Sequence, residues 1–199
     1  MAINWVKGQK IDLTKNNSSL DKLIVGLGWD AVTQPAKGLL GLFSGGNPDI
    51  DIDASVFMLR NDKFVANNDL IYFGNLKSKC GGVIHTGDNL TGEGDGDDEQ
   101  IIIHLSKIPY DVNKLVVVIN IYNCIKRKQH FGMIKNAFVR VADGKTGKNI
   151  AVYNLTENYT GSTGVIVEEV YRHNEEWKFS AIGQGTNDAS LLDMARRFK

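Results

Sequence analysis

The chain contains the stretch Lys114-Leu115-Val116-Val117-Val118-Ile119-Asn120-Ile121-Tyr122, which includes the longest apolar run of the sequence. Most of its apolar residues are β-branched, and β-branched side chains fit the pleated surface of a sheet. A short, continuous apolar run is typical of a strand that is buried on both faces. The stretch therefore predicts the central strand of a sheet.

Further strand candidates lie on both sides of this stretch, and alternating or β-branched patterns mark them. Turn signals separate them at Asn61-Asp62, at Asp143 to Gly147 and at Asn174-Glu175. About ten short strands with such spacing are typical of a β-sandwich or a β-barrel. Besides residues 114–122, the candidates are Lys22–Trp29, Ile50–Leu59, Leu70–Phe73, Gly82–His85, Ile101–Leu105, Asn136–Ala142, Asn149–Leu155, Gly164–Arg172 and Trp177–Ile182.

One helix is predicted, at the C-terminus. Asn187 or Asp188 can cap it by accepting backbone N–H bonds. The helix then places four apolar residues on one face, namely Leu191, Leu192, Ala195 and Phe198. A second feature, the Gly- and Pro-rich segment 31–48, is predicted to be a long insertion loop that carries an apolar patch, Leu39 to Phe43.

The net charge of the 199-residue chain is zero, because 23 Lys and Arg residues balance 23 Asp and Glu residues. This balance argues against a protein that binds nucleic acid through bulk positive charge. The length suits one domain over residues 1–199. Two isolated cysteines, Cys80 and Cys124, argue against a disulfide scaffold. With no recognisable signal peptide or transmembrane segment, we expect a cytoplasmic protein.

The charge is unevenly distributed along the chain. Six of the 23 acidic residues lie within the twelve residues from Asp88 to Glu99, with no Lys or Arg among them. Two like charges ~4 Å apart repel by about 1 kcal/mol in water and by more near a protein surface. A bound cation reverses that effect. Oxygen ligands without cysteine favour Ca²⁺ or Mg²⁺ over Zn²⁺, and an adaptable Gly-rich loop suits Ca²⁺ better than Mg²⁺.

The acidic segment is not an EF-hand loop. Counted from Asp88, Glu99 falls at position 12 of that motif. However, Leu90 and Gly92 stand at positions 3 and 5, where the motif needs side-chain oxygens. The loop must therefore hold its ion in another way.

A second group of aspartates precedes this loop. Asp49, Asp51 and Asp53 alternate with apolar residues, so in a strand they share one face while the isoleucines enter the core. Asp30 follows the end of another predicted strand. If Asp30, Asp51 and Asp53 converge on the acidic loop, the carboxylates suffice for two ions. The alternative interpretation is a solvated acidic face.

The segment from His85 to Glu99, with its Thr-Gly-Asp-Asn and Gly-Asp-Gly-Asp-Asp-Glu runs, resembles the signature of the TerD family of bacterial stress and tellurium-resistance proteins. The Gly-rich insertion after Asp30 makes the chain most similar to the TerZ branch of that family. Four other segments agree with the resemblance, namely Gly26–Asp30, Asp51–Ser55, Asn136–Arg140 and Tyr171–Phe179.

The resemblance implies a mainly β fold, a two-sheet antiparallel β-sandwich with a short C-terminal helix, that binds two Ca²⁺ ions in the cytoplasm. It also implies partners among other stress and tellurium-resistance proteins, within a membrane-associated complex. Carried over by position, the metal ligands would be Asp30, Asp51, Asp53, Asp88, Asn89, Asp95, Asp97, Asp98 and Glu99, with backbone carbonyls from Gly92 and Gly96.

Three functions compete at this point. The expected one is a non-enzymatic Ca²⁺-binding protein that acts through partners. A metal-dependent hydrolase would need a general base near the ions, for which His85 and His104 are candidates. A small-ligand module would bind an anion at Tyr171-Arg172-His173-Asn174, although Arg172 and His173 can equally frame a hairpin turn.

Overall fold

Two six-stranded sheets face each other across an apolar core in the computed structural model of the protein, which describes residues 3–4, 6–15, 17–30, 50–90, 96–155 and 159–199. The first sheet has the order β1-β10-β9-β3-β7-β6 and the second has the order β2-β12-β11-β8-β4-β5. The strands are β1 (Ile3–Asn4), β2 (Lys10–Asp12), β3 (Lys22–Asp30), β4 (Ile52–Leu59), β5 (Leu70–Ile71), β6 (Val83–His85), β7 (Glu99–His104), β8 (Lys114–Ile121), β9 (Lys135–Asp143), β10 (Asn149–Asn154), β11 (Gly164–His173) and β12 (Glu176–Thr186).

Strand β8 holds the position that its apolar run predicts. It pairs antiparallel with β4 on one side and with β11 on the other. Leu115, Val117 and Ile119 face the core between the sheets, whereas Val116 and Val118 belong to a second apolar cluster on the outer face. Because both faces of β8 are buried, the strand has no polar alternation.

The predicted mainly β sandwich is confirmed, and each of the ten strand candidates contains a strand. Two strands at sheet edges, β1 and β2, lie outside the predicted set. They are two and three residues long, too short to show a period-2 pattern. β1 pairs with β10 in parallel, whereas the other strand pairs are antiparallel.

The predicted turns at Asn61-Asp62 and Asn174-Glu175 are confirmed. All four residues have positive φ angles, between 50° and 65°. Two consecutive left-handed residues form the type I′ turn, whose twist matches that of the strands it joins. The second turn links β11 to β12. Residues Tyr171 to Asn174 therefore form part of a hairpin, which is one of the two interpretations given above for this segment.

The C-terminal helix is confirmed, but its predicted cap is wrong. α2 spans Leu191–Ala195 and is followed by a 3-10 turn, Arg196–Phe198. Ser190 is the N-cap, and its hydroxyl accepts the backbone N–H of Asp193. Asp188 instead binds Arg197. The N-cap thus lies two residues after Asp188, the later of the two predicted caps.

The buried face of this helix also differs from the prediction. Met194 and Ala195 are buried against the outer face of the second sheet, while Leu192 is 59% exposed. A short second helix, α1 (Cys124–Arg127), was not predicted. Among the described residues, no helix is long and apolar enough to cross a membrane. The insertion 31–48, with its Leu39 to Phe43 patch, lies outside the described residues.

The central position of β8 predicts a large loss of stability when its core side chains are shortened. Ile119→Ala should lower the free energy of unfolding by about 2–5 kcal/mol, through lost burial and the remaining cavity. Ile125, which is 63% exposed in α1, provides the matched control. Ile125→Ala should change stability by less than about 0.5 kcal/mol. Chemical denaturation of both variants measures the difference, and equal effects would contradict the assigned core.

Candidate metal centre

Three aspartates meet at the edge of the sandwich where β4 approaches the loop that follows β6. Asp51 immediately precedes β4, Asp53 is the second residue of β4, and Asp88 comes from the loop. One carboxylate oxygen of each lies within 4.8 Å of those of the other two. Ile50 and Ile52 are buried in the core, as the alternation predicts. The buried isoleucines thus anchor β4 in the core, and the alternation places Asp51 and Asp53 on the same face.

Glu99, the first residue of β7, holds this edge to the neighbouring sheet. Its Oε2 accepts the backbone N–H of Ala54 at 2.8 Å, and its Oε1 accepts that of Asn89 at 3.4 Å. His85 Nε2 lies 3.5 Å from the same Oε2, and both side chains are fully buried. Glu99 therefore bridges β4 and the Asp88 loop.

The carboxylates at this edge are poor in positive partners. Burial, together with the charges of Glu99, Asp51 and Asp88, raises the pKa of Asp53 to about 8. Burial and Asp88 raise the pKa of Asp51 to about 6, against a lowering by Arg127. The Arg127 Nη1 atom is 3.8 Å from Oδ2 of Asp51, too far for a good hydrogen bond. Burial also raises the pKa of Glu99.

The arrangement fits a divalent cation. Asp51 is 6% exposed, and its Oδ1 has no hydrogen-bond partner among the described residues. Two carboxylates about 4.8 Å apart repel by about 3 kcal/mol at an effective dielectric constant of ~20. A buried anion without a partner is costly unless it binds a counter-charge. The three aspartates form an oxygen-only group that could hold a metal ion.

Other predicted ligands gather beside this triad, around Asp98. Its Oδ2 accepts the backbone N–H of Trp29 at 2.9 Å, and its Oδ1 accepts the Asn89 amide at 3.0 Å. Burial raises the pKa of Asp98, and the charges of Asp97 and Asp30 raise it further. Asp30 accepts a 2.6 Å hydrogen bond from Asn136. The structure thus sorts the predicted ligands into two groups, and Asn89 is bonded to Asp98 and to Glu99, which lies beside the triad.

Asp97 is paired with an arginine that the sequence analysis did not single out. Arg140, on β9, donates to both carboxylate oxygens at 2.6 Å, and Gln100 donates to one of them at 2.9 Å. Gly26, on β3, makes room for this pair, because a Cβ at that position would overlap the Asp97 carboxylate. Asp97 is thus held by Arg140 here, and its role as a ligand stays a prediction.

The remaining predicted ligands are backbone or loop positions. Gly96 has φ 103°, and its carbonyl oxygen passes 2.5 Å from the place where a Cβ of Gly28 would stand. Gly92 and Asp95 lie outside the described residues. Besides Arg140, Asn120 is a missed neighbour of the centre; it pairs with Asp53 across the strands. Neither residue belongs to an acidic motif, since Arg140 lies on β9 and Asn120 on β8.

The alternative candidate residues are engaged elsewhere. The buried His85 accepts the Gly87 N–H at Nδ1 and turns Nε2 toward Glu99. His104 lies at the other end of β7, 3.9 Å from Asp21. Arg172 donates to the carbonyls of Val112 and Ile108 and stacks on Trp177.

The raised pKa values give the metal-free protein a defined pH dependence. Asp53 and Glu168 each have a pKa near 8, above their ordinary values of 3.8 and 4.5. At pH values between the ordinary and the raised pKa, the folded state therefore binds more protons than the unfolded state. Stability must then fall as pH rises from about 5 to about 8. Denaturation in EGTA across this range measures the slope, and a flat or rising profile would contradict these pKa values.

Two buried aspartates predict opposite effects of the same chemical change in the metal-free protein. Asp53→Asn should raise the free energy of unfolding at pH 8 by about 1–3 kcal/mol, because it removes an unpaired buried charge. Asp97→Asn should lower it by about 1–3 kcal/mol, because Arg140 loses its counter-charge. Urea denaturation in EGTA compares the two, and effects of the same sign would refute the distinction.

Comparison with known proteins places the chain in a family. The chain is 57% identical to stress response protein SCP2 of Bacillus subtilis (strain 168), with 100% of both chains covered. It is 44% identical to tellurium resistance protein TerZ of Serratia marcescens, over 96% of this chain and 94% of that protein. A solved homologue of telluride resistance protein (TerD) from Streptomyces coelicolor A3(2) shares the fold, with a TM-score of 0.68 at 19% identity over 87% of this chain and 98% of that chain. The sequence model of the family described as "TerD domain" matches residues 1–198. The chain therefore belongs to the TerD family of stress and tellurium-resistance proteins.

Proposed function

We propose that this chain is a cytoplasmic Ca²⁺-binding stress protein of toxic-oxyanion resistance, without enzymatic activity, that acts through protein partners. The observation that carries the proposal is the convergence of Asp51, Asp53 and Asp88, two of them buried, with ligand oxygens within 4.8 Å of each other. Membership of a family whose relatives are named for stress response and tellurium resistance supports the physiological setting.

The character of the ligands favours Ca²⁺ over other divalent cations. Ca²⁺ takes six to eight oxygens in flexible geometry, whereas Mg²⁺ keeps several waters in a strict octahedron. Asp53 is 2% exposed, so the inner side of the centre has little room for retained water. His85 accepts the Gly87 N–H at Nδ1 and lies against Glu99 rather than among the three aspartates, and neither cysteine is in the cluster, which disfavours Zn²⁺.

A second ion would lie in the Asp98 group. Asp98 and Asp30 interact electrostatically, and Asn89 is bonded to Asp98 and Glu99. Asn89 would therefore couple the two positions. In this proposal the two groups bind one Ca²⁺ ion each, and the total of two ions is the number that the family resemblance implies.

Ion binding would tie an exposed loop to a rigid edge. Asp88 is exposed and belongs to the loop after β6, while Asp51 and Asp53 are fixed by the buried strand β4. Bound Ca²⁺ supplies the positive charge that these carboxylates lack. The Asp88 side chain would then be held against β4, and the ordered loop would present a surface to other stress and tellurium-resistance proteins, in a membrane-associated complex.

Two observations support the absence of catalysis and the cytoplasmic setting. The histidine beside the centre, His85, is buried and already bonded on one nitrogen, so it is poorly placed to activate water at an ion. Cys80 and Cys124 are free thiols, which agrees with a reducing compartment.

Thermal unfolding with added Ca²⁺ tests the proposal. In EGTA-treated protein, micromolar Ca²⁺ should raise Tm strongly, and millimolar Mg²⁺ should raise it little. A 100-fold excess over Kd corresponds to about 2.7 kcal/mol of added stability per site. Asp88→Asn should reduce the Ca²⁺ response without lowering the Tm measured in EGTA, because Asp88 is exposed.

The matched control is Asp12→Asn. Asp12 lies on β2, at the opposite edge of the second sheet from β4 and β5, and its carboxylate binds Lys178. This variant should keep the full response to Ca²⁺. The proposal fails if neither ion shifts the Tm of the wild-type protein, or if both variants respond to Ca²⁺ as the wild type does.

A further inference from the structure

A cavity of about 370 Å³ lies on the outer face of the second sheet, between β5, the end of β8 and the start of α2. Its volume lies within the range of small-molecule sites, roughly 300–1,000 Å³. Leu192, at the start of α2, lines the cavity and is 59% exposed, so it stands at the mouth. The cavity belongs neither to the core between the sheets nor to the acidic loop.

The inner end of the cavity presents hydrogen-bond acceptors. Asp53 and Asn120 both line it, and Asn120 is 8% exposed. The Asn120 amide donates to Oδ2 of Asp53 over a long 3.4 Å. The Asn120 Oδ1 atom is buried and accepts no hydrogen bond from any described residue. A buried acceptor without a donor is unfavourable, and a ligand with an N–H group would satisfy it.

The walls of the cavity are aromatic. Tyr72 and Phe73 meet edge to face at 5.1 Å, and Phe73 and Tyr122 do so at 5.9 Å. Aromatic faces attract organic cations as well as apolar groups. The residues that line the cavity include Asp53 but no Lys, Arg or His, and all of them lie in the described part of the chain. With Asp53 ionised, the charge of the cavity is complementary to a cation.

We propose that this cavity binds a small organic amine, with its ammonium group on Asp53 and Asn120 and its apolar body against Tyr72, Phe73 and Tyr122. Because Asp53 also belongs to the aspartate triad, the amine and a metal ion draw on the same carboxylate. Binding of the amine therefore lowers the affinity for the metal ion, and by linkage the metal ion lowers the affinity for the amine by the same factor. This site goes beyond the proposed Ca²⁺ function, since the cavity has its own acceptor in Asn120.

An NMR titration of the EGTA-treated protein with 2-phenylethylamine at pH 9, where the Asp53 carboxylate and most of the amine are both charged, tests the site. The amine should shift the amide signals of Tyr72, Phe73 and Asn120. The anion 3-phenylpropionate has a similar apolar body, and it should bind at least about tenfold more weakly because Asp53 repels it. Saturating Ca²⁺ should weaken amine binding several-fold.

Leu192→Trp narrows the mouth of the cavity without touching the core, and it should weaken amine binding at least about fivefold. Met133→Trp is the matched control, because Met133 is exposed and lies outside the cavity. That variant should bind the amine as the wild type does.

Three results would each overturn the inference: no shift at these residues up to saturating amine, equal binding of 3-phenylpropionate, or unchanged affinity in Leu192→Trp. The outcome is separable from the Ca²⁺ proposal. Amine binding in a protein that shows no response to Ca²⁺ would refute only the metal function, while a Ca²⁺ response without amine binding would refute only the cavity ligand.

Discussion

The burial of Asp51 and Asp53 without an adequate positive partner is the constraint on which the rest of the structure depends. Ile50 and Ile52 enter the core beside them, and Ile52 pairs with Ile121 of the buried strand β8. The backbone that carries the two carboxylates therefore cannot move toward water without exposing apolar surface. The remaining ways to relieve the charge are protonation or a bound cation.

Other carboxylates near this edge have hydrogen-bond or ion-pair partners. Asp97 binds Arg140 on a neighbouring strand, and the missing side chain at Gly26 leaves room for the pair. Glu99 uses both oxygens to join β4 to the Asp88 loop. Acidic residues that are neighbours in sequence thus have different tasks. One neutralises an arginine, one links two segments, and the unpaired aspartates remain for an ion.

Much of the fold followed from the sequence, because its patterns are local. The apolar run of β8 and the Asn-containing turns specify strands and reversals through neighbouring residues alone. The alternation at Asp51 and Asp53 likewise predicted which side chains would share a face. The cap of α2 at Ser190 escaped prediction because Asn187, Asp188 and Ser190 offer similar capping chemistry, and tertiary packing chooses among them.

The site was less accessible to sequence reasoning, because its partners are brought together by the sheets. Arg140 and Asn120 lie on β9 and β8, and neither belongs to an acidic motif. Their contacts with Asp97 and Asp53 depend on strand order, which composition does not encode. The glycine spacing predicted a loop able to bend around an ion, but not the division of the acidic residues into two groups.

Proton release on Ca²⁺ binding tests the central claim most directly. If Asp53 is protonated in the metal-free protein at pH 7, as its raised pKa of about 8 implies, an ion that binds its carboxylate must displace that proton. Calorimetric titrations in two buffers of different ionisation enthalpy count the protons. The account predicts release of about one proton per chain at pH 7, declining through pH 8 and nearly absent above pH 9. Ca²⁺ binding without proton release at pH 7 would contradict it.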